Sequence, residues 1–514
     1  MKEMTTVSPQ SLTSYDQVPY LANPLPQTHP ARTAAIAEMF GLPYVPPKHA
    51  RVLELGCASG INLLGMAHFM PDAQFTGIDL SIVQIHEAER RTKALGAENI
   101  QFLHMSLGDI GKDFGEFDYI ICHGVFSWVS SELQKTILRI SNENLSQEGI
   151  AFVSYNVQPG WRTKQIARDT FWALTPTNLP PHRRWEYGVA WIKDALEISA
   201  KDEKRPLLHQ ALASELENIL TQKDFRYLVH EYLEDNNEPI LFRDFLGLAN
   251  EAGLAYLGDA EPASMVRHLS NPALREFFKN HPPASMAEAE QAIDIIMGRT
   301  FRQSLLVKGL RHRHINRALT PALFKNMHIQ TRIAKKVDQD GNATFLHPKL
   351  GQMNAQGVGV PALEVLAGVT MPIPFSALAE KFTEISGGAK EEEFAQILFT
   401  LLGGAGIDIF ASPVIADLPR GATALALLDL ESGRNITSNS VGEMVAMDPV
   451  QSLLLPLLKG DWDRDEAING LEALYAKGAF NVNPAPADDA QMKTLFGTII
   501  DQGAAAFKSV GIVG

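Results

Sequence analysis

The amino-acid sequence predicts an α/β protein with a seven-stranded, doubly wound sheet, a helical insertion and an α-rich, winged-helix-like C-terminal region. Three observations lead to this class. Short apolar runs alternate with helix-compatible segments over 51–156, the stretch 163–234 is helical and aromatic, and two more strand-like runs follow before residue 310. Alternating strands and helices are typical of a mostly parallel sheet with helices on both faces.

Each of the seven predicted strands is a short run rich in apolar residues. The runs are RVLELG from 51, AQFTGIDL from 73, IQFLHM from 100, FDYIICHG from 117, IAFVSYN from 150, AYLGD from 255 and FRQSLLVKG from 301. Helices are expected over 31–40, 61–70, 83–95, 133–140 and 242–252, each beside one of these strands.

The same patterns divide the chain into five parts. We expect a proline-rich leader over 1–45, a core over 46–162, a helical insertion over 163–235, completion of the sheet over 236–310 and a separate C-terminal region over 311–514. Within the last part, helices are predicted over 360–367, 375–385, 391–402, 449–458 and 465–477, with the strand-like IDIFASP after the third. Three helices followed by a strand is the order of a winged helix.

Composition restricts the function. The chain has 514 residues and a formal net charge of −14, so a general attraction to nucleic acid is excluded. Residues 351–410 carry two lysines and seven acids, so the winged-helix-like part is expected to contact protein. Two cysteines, no signal sequence and no apolar span of about 20 residues predict a cytoplasmic protein without membrane insertion. HExxH is absent because residue 234 is Glu, so no metal is expected.

The most informative segment runs from Val52 to Gly60, where a strand enters a glycine turn and then a helix. Such a turn lets a ligand approach the backbone, but the spacing differs from the G-x-G-x-x-G of dinucleotide sites. Glu54 suits a cationic cofactor rather than a pyrophosphate. Asp79, 25 residues later at the end of the second strand, can accept both hydroxyls of a ribose.

V-L-E-L-G-C-A-S-G followed by G-I-D-L-S resembles motifs I and II of the class I S-adenosylmethionine-dependent methyltransferases, whose sheet is Rossmann-like. The resemblance implies S-adenosylmethionine as cofactor. The resemblance and the residue types described above together give the candidate cofactor-binding residues. These are Glu54, Gly56, Cys57, Gly60, Asp79, Leu80, Ser106, Leu107 and His123. The sequence departs from the family pattern at Ala58, which replaces the middle glycine, and at Ser106, which replaces an acid; Asp109 is the nearest carboxylate.

A narrower resemblance extends over most of the chain. The motifs S-Y-D-Q-V-P-Y, C-H-G-V-F-S-W-V, V-S-Y-N-V-Q-P-G-W, H-E-Y-L-E-D-N-N-E-P and G-R-T-F-R-Q-S-L-L-V resemble bacterial methyltransferases that carry a methyltransferase regulatory domain. That family includes protein lysine methyltransferases that modify outer-membrane proteins. The resemblance therefore implies a protein substrate, with lysine as the methyl acceptor.

The acceptor is expected at the carboxyl ends of the fourth and fifth strands. The candidate catalytic residues are Tyr15, His123, Tyr155 and Asn156, and Phe126, Trp128 and Trp161 are the candidate walls of a substrate channel. Asp16 and Tyr20 are expected in a lid together with Tyr15. Each assignment has a structural alternative: a buried histidine is often a packing residue, and tryptophans commonly belong to the core.

Two other functions remain open at this point. The aromatic insertion suits a closed pocket for a small metabolite as well as a lysine channel, and the sheet can serve as a non-catalytic scaffold. The helical surface exceeds what methyl transfer requires, and surplus helices with interleaved Trp and Phe commonly contact another subunit, so a homodimer is expected.

Overall fold

The computed structural model describes residues 14–201, 207–222, 224–411, 422–483 and 485–513. Its centre is a seven-stranded sheet, as predicted, with the order β3-β2-β1-β4-β5-β7-β6. The strands are β1 Arg51–Leu55, β2 Gln74–Asp79, β3 Ile100–His104, β4 Phe117–Cys122, β5 Leu145–Asn156, β6 Leu254–Asp259 and β7 Phe301–Lys308. Strands β1 to β5 are parallel, whereas β7 runs antiparallel to both β5 and β6.

Helices cover both faces of the sheet, which is why β4 is buried along its whole length. The first helices are α1 Ser14–Gln17, α2 Pro30–Met39, α3 Ile61–Phe69, α4 Ile82–Leu95 and α5 Ser131–Glu143. Helices α2, α3 and α4 pack on one face, and α5 packs on the other. Eight of the nine residues of α3 are buried, so this helix is enclosed on all sides.

The insertion is helical, as expected. It contains α6 Arg162–Leu174, α7 Pro181–Ser199, α8 Leu207–Thr221 and α9 Phe225–Leu233. These helices have a core of their own, in which Phe171 stacks on Trp185 with ring centroids 4.9 Å apart. The aromatic residues at helical spacing, which predicted this layer, therefore pack against one another inside it.

Three helices that the sequence analysis did not predict lie between the last two strands. After α10 Phe242–Glu251 and β6 come α11 Pro262–Ser270, α12 Pro272–Asn280 and α13 Met286–Ile296. Helix α13 supplies carboxylates to the buried Arg302 of β7, whose guanidinium lies 2.8 Å from both Asp294 and Glu290. This network fixes β7 against α13.

The C-terminal region shows the predicted order of three helices and a strand. Its elements are β8 His328–Thr331, β9 Ala334–Val337, β10 Ala343–His347, β11 Gly351–Met353, α14 Gly359–Leu366, β12 Ile373–Pro374, α15 Phe375–Ile385, α16 Glu391–Gly403, β13 Ile407–Phe410, α17 Ala424–Glu431, β14 Ile436–Ser438, β15 Met444–Ala446, α18 Pro449–Leu454, α19 Arg464–Ala476 and α20 Asp489–Ser509. The strands β8 to β12, β14 and β15 and the helices α17 and α20 were not predicted. Strands β9 to β11 form one three-stranded sheet, and β8 pairs with β12 and β13 in another.

The first part of this region is less separate than the sequence suggested. Apolar residues of α14, α15 and α16 belong to the same continuous core as those of α2, α3 and α4, and only 422–513 build a second core. Among the described residues, no helix is both long and apolar enough to cross a bilayer.

A buried ion pair joins the second part to the sheet. Arg91 of α4 donates to Asp429 of α17, and the two side chains are 1% and 3% exposed. Nearby, Arg434 donates to the carbonyl of Ala22 at 3.2 Å. The C-terminal region therefore contacts both α4 and the leader.

Replacing Asp429 by Ala should destabilise the protein by about 3 kcal/mol, because it leaves the Arg91 guanidinium buried without its partner. The measurement is the unfolding temperature followed by circular dichroism. Asp501→Ala is the matched control, since the Arg464–Asp501 pair is 51% and 53% exposed and should leave the temperature nearly unchanged. Equal unfolding temperatures for the two variants would contradict the structural role of the buried pair.

Candidate active site

The turn between β1 and α3 is folded tightly beneath the carboxyl edge of the sheet. The amides of Gly56 and Cys57 both donate to Ile78 of β2 at 2.9 Å. Gly56, Ala58 and Gly60 have φ values of 76°, 47° and 71°. A Cβ at Gly60 would lie 2.3 Å from the Phe102 ring, so only glycine fits there. At Ala58 the methyl group is tolerated in the left-handed region, where glycine has no steric cost.

Asp79 at the end of β2 is directed to this turn. One carboxylate oxygen accepts from the amide of Ala58 and the other from the amide of Ser81, both at 2.8 Å. Burial raises the pKa of Asp79, although the backbone donors act in the opposite direction. Each oxygen keeps a lone pair, so the carboxylate can still accept hydrogen bonds from a ligand.

Glu54 at the end of β1 is 3% exposed. Its Oε1 accepts from the side-chain amide of Asn62 at 2.9 Å, whereas its buried Oε2 has no hydrogen-bond partner. Burial raises the pKa of Glu54 to about 8, with a further contribution from the nearby charge of Asp79. A buried acceptor without a partner is costly, and a cationic ligand group would remove that cost.

Leader residues 14–29 cross this edge and contact both α3 and α4. Asp16 accepts from the Ser81 hydroxyl at 2.5 Å, and the Gln84 side chain donates to the Tyr20 carbonyl at 3.1 Å. The amide of Leu25 donates to Asn62 at 2.9 Å. The lid expected from Tyr15, Asp16 and Tyr20 is therefore placed beside Asp79 and the glycine turn.

The carboxyl ends of β4 and β5 present His123 and Asn156. The His123 ring packs between Phe152 and Phe301, both at 5.9 Å, and burial lowers its pKa to about 4. The amide nitrogen of Gln27 lies 3.3 Å from His123 Nε2, which accepts if that nitrogen is unprotonated. Asn156 is 3% exposed, and its Nδ2 has no hydrogen-bond partner.

Two candidate residues lie in the opposite core layer, which corrects their expected roles. Tyr155 is 1% exposed, bonds Ser304 through its hydroxyl at 2.9 Å and stacks on Phe245 at 4.1 Å. Phe126 is fully buried against the same two rings. Because successive side chains of a strand point to opposite faces, Tyr155 and Asn156 cannot share one channel. Tyr155 and Phe126 are therefore packing residues.

The two tryptophans form a T-shaped pair with centroids 6.3 Å apart. Lys164 lies 4.8 Å over the Trp161 ring, and Arg168 lies 5.9 Å from that of Trp128. Trp161 is 3% exposed and Trp128 is half-buried. A cationic side chain of the protein lies over one face of each ring. Because Trp128 is the more exposed of the two, it is the better placed to contact a substrate.

On the β3 side, the Leu80 side chain is 58% exposed and offers an apolar surface. The Ser106 hydroxyl accepts from the amide of Gly108 at 3.3 Å, which caps a short turn containing Leu107. Asp109 is exposed at the end of that turn. Cys57 of the glycine turn is buried, and burial raises the pKa of its thiol.

Several residues of the site were not found by sequence reasoning. Asn62 is a single amide in the apolar helix α3, Gln27 and Thr28 lie in the leader, and Asn237 has two buried amide atoms without partners. The only available signal was polar residues within apolar or proline-rich surroundings. Among the described residues, no group of three or more His, Cys, Asp or Glu side chains is placed to hold a metal ion.

Comparison with known proteins agrees with this geometry. Residues 52–149 match a family described as a methyltransferase domain, and 224–308 match a predicted methyltransferase regulatory domain. The uncharacterized proteins RP789 and RP028 of Rickettsia prowazekii are 38% identical over 295 residues and 34% identical over 241 residues. These matches cover 57% and 46% of this chain, and 52% of RP789 and 94% of RP028.

Among solved structures, PKMT2 from Rickettsia typhi has the same fold, with a TM-score of 0.83 and 24% identity over 96% of this chain and 99% of that chain. PKMT2 has also been solved in complex with AdoHcy, and that structure matches equally well.

The chain belongs to the class I S-adenosylmethionine-dependent methyltransferases that carry a methyltransferase regulatory domain. The cofactor of this class is S-adenosylmethionine. The resemblance seen in the motifs is thereby confirmed.

Replacing Glu54 by Gln should change how stability depends on pH. In the folded protein the Glu54 pKa is raised to about 8, whereas it is near 4.3 in the unfolded chain. Between these values the folded state holds a proton that the unfolded state has lost, so wild-type stability should fall as pH rises from about 4.5 to about 8. The variant lacks this proton, so its stability relative to wild type should increase over the same window.

Urea unfolding at pH 5, 6.5, 8 and 9 measures this difference. The exposed Glu89→Gln is the control and should track wild type. A constant difference between Glu54→Gln and wild type at all four pH values would contradict a protonated Glu54.

Proposed function

We propose that the protein transfers methyl groups from S-adenosylmethionine to lysine side chains of a protein substrate. The observation that carries the proposal is the convergence of four elements at one edge of the sheet. The glycine turn, Asp79, the leader, and the β4 and β5 ends with His123 and Asn156 all lie there, with unpartnered polar atoms on Glu54 and Asn156.

The residues present fit the cofactor. Asp79 has free lone pairs for ribose hydroxyls, exposed Leu80 provides an apolar face for a base, and the Glu54 carboxyl suits the cationic end. When bound, S-adenosylmethionine supplies a methyl group on a sulfonium sulfur, so that a bond to the acceptor forms as the carbon–sulfur bond breaks and the electron pair stays on sulfur. The chain's own residues then need only to orient the acceptor and exclude water.

Asn156 and His123 are the acceptor-side residues in this proposal. A lysine amine must lose its proton before it can attack, since the ammonium has no lone pair. His123 is held neutral by burial, so its ring does not repel a cationic acceptor that approaches. The Asn156 amide can orient the amine by hydrogen bonding.

The acidic rim, residues 224–238, supports a basic substrate. It carries five acids and one arginine, a formal charge of 1 − 5 = −4. Glu231 is paired with Lys164, whereas Asp235 and Glu238 are exposed. The Glu238 amide donates to the Ser127 carbonyl at 2.7 Å, so the rim lies against the loop that follows β4. A negative rim attracts a lysine-containing segment and raises its local concentration. The similar fold of PKMT2, a protein lysine methyltransferase, favours the same acceptor.

The expected homodimer and the cytoplasmic location stay predictions. Tyr187, Trp191 and Ile198 of α7 are exposed, and this face is where we expect a second copy to contact the chain.

Replacing Asp79 by Ala should weaken binding of S-adenosylhomocysteine by about 10- to 100-fold, because hydrogen bonds to a charged acceptor are lost. Isothermal titration measures the affinity. Asp72→Ala is the control: Asp72 is exposed, two residues before the start of the same strand, and this variant should bind as wild type does. Unchanged binding by Asp79→Ala would remove this residue from the cofactor site.

The acceptor is tested by transfer of tritiated methyl groups to a cell lysate, followed by separation into macromolecular and small-molecule fractions and by mass spectrometry. Label on protein lysines is expected. Label only on small molecules, nucleotides or other amino acids would contradict the proposal while leaving the cofactor site intact.

Asn156→Ala should lower turnover about tenfold or more and change affinity for S-adenosylhomocysteine less than twofold, because its amide acts on the acceptor. Asn236→Ala, an exposed asparagine on the acidic rim, is the matched control. Equal turnover in both variants would exclude Asn156 from the acceptor site.

A further inference from the structure

His230 of α9 is a buried histidine that the cofactor and acceptor assignments leave unexplained. It is 5% exposed, and both ring nitrogens face oxygen atoms: Nε2 lies 2.6 Å from the Val18 carbonyl and Nδ1 lies 2.5 Å from Glu234. The second oxygen of Glu234 accepts from the Ser14 hydroxyl at 3.0 Å. His230 and Glu234 are thus both bonded to the leader.

The ring of His230 also stacks on the leader. Tyr15 lies parallel to it, with ring centroids 4.6 Å apart and an interplanar angle of 4°, and Tyr20 packs at 5.9 Å. Four residues of the leader, Ser14, Tyr15, Val18 and Tyr20, therefore contact this one pair at the C-terminal end of α9.

The held segment lies over the cofactor side of the sheet. Asp16, next to Tyr15, bonds Ser81 two residues after Asp79. Burial raises the pKa of the Tyr15 hydroxyl, with further contributions from the charges of Glu234 and Asp79. A ligand bonded to Asp79 would lie close beneath the leader.

We propose that His230 and Glu234 form a latch that holds leader residues 14–20 closed over the cofactor, so that the latch sets the rate at which S-adenosylhomocysteine is released. His230 is a positioning residue in this proposal, since it acts through Tyr15 and Val18 and touches no reacting atom. The inference rests on the proposed cofactor site and goes beyond it by assigning control of product release to α9.

The contacts between leader residues 14–20 and the His230–Glu234 pair are few enough to break and re-form. The pair contacts the leader through the stacked Tyr15 ring, the Tyr20 ring and two hydrogen bonds, and opening would break these contacts together. Helix α9 itself is fixed from the other side, since Lys164 of α6 bonds Glu231 at 2.7 Å and Arg168 donates to the Glu234 carbonyl. The leader can therefore move while α9 stays in place.

The test is the dissociation rate of labelled S-adenosylhomocysteine from the full chain, measured after rapid mixing with unlabelled ligand. His230→Ala should speed release by about tenfold, the effect of one aromatic stack and one buried hydrogen bond. Tyr15→Ala removes only the stack and should speed release by a smaller factor, and the double variant should be no faster than His230→Ala, because both substitutions remove the same stack. His182→Ala, an exposed histidine of the same helical insertion, is the matched control.

Limited cleavage by chymotrypsin after Tyr15 and Tyr20 gives a second readout, since the ligand should protect these sites in wild type and much less in His230→Ala. His230→Gln keeps a donor for Val18 and should restore part of the slow release. If His230→Ala does not fold, Tyr15→Ala decides the test, because its substitution lies in the leader.

Release within twofold of wild type in folded His230→Ala or Tyr15→Ala, or rates that multiply in the double variant, would overturn the latch. In that case, tight binding of S-adenosylhomocysteine by the wild-type protein would still support the cofactor site. A wild-type protein that does not bind S-adenosylhomocysteine would overturn the cofactor site and the latch together.

Discussion

The buried side-chain amide of Asn62 is the contact on which the site depends. Its nitrogen donates to Glu54 at 2.9 Å and to Thr28 at 3.1 Å, and its oxygen accepts from the Leu25 amide at 2.9 Å. One side chain thus joins β1, α3 and the leader. Without it, three buried polar groups would lose a partner at once, each at a cost of about 1–3 kcal/mol. Leader residues 25–28 and the glycine turn therefore form one unit, to which leader residues 14–20 are attached through α4 and the His230–Glu234 pair.

The C-terminal region packs against that unit and stabilises it. A Cβ at Gly65 of α3 would lie 2.7 Å from Ser438, so this contact leaves no space for a larger residue, and Gly442 lies against the His29 ring. Arg91 and Asp429 tie α4 to α17. Helices α3 and α4, which follow the glycine turn and the end of β2, are therefore packed between the sheet and the C-terminal region. This packing gives the large C-terminal region a structural role.

Sequence patterns predicted the sheet because its signals are local. The run ending at Gly56 and the acid at Asp79 follow strands whose apolar character is visible residue by residue, and all seven strands were found. The contacts of Asn62 and Gln27 could not be predicted, since they join residues that are distant in the chain and leave no periodic signal. Tyr155 shows a related limit: both faces of β5 are buried, so alternation does not tell which face meets the site.

Hydrogen exchange with and without S-adenosylhomocysteine tests most directly whether the leader and the glycine turn bind cofactor as one unit. The account predicts that ligand slows exchange at the amides of 56–62 and 79–83 and, at the same ligand concentration, at those of 14–29. Protection of the turn while the leader exchanges as in the free protein would contradict it.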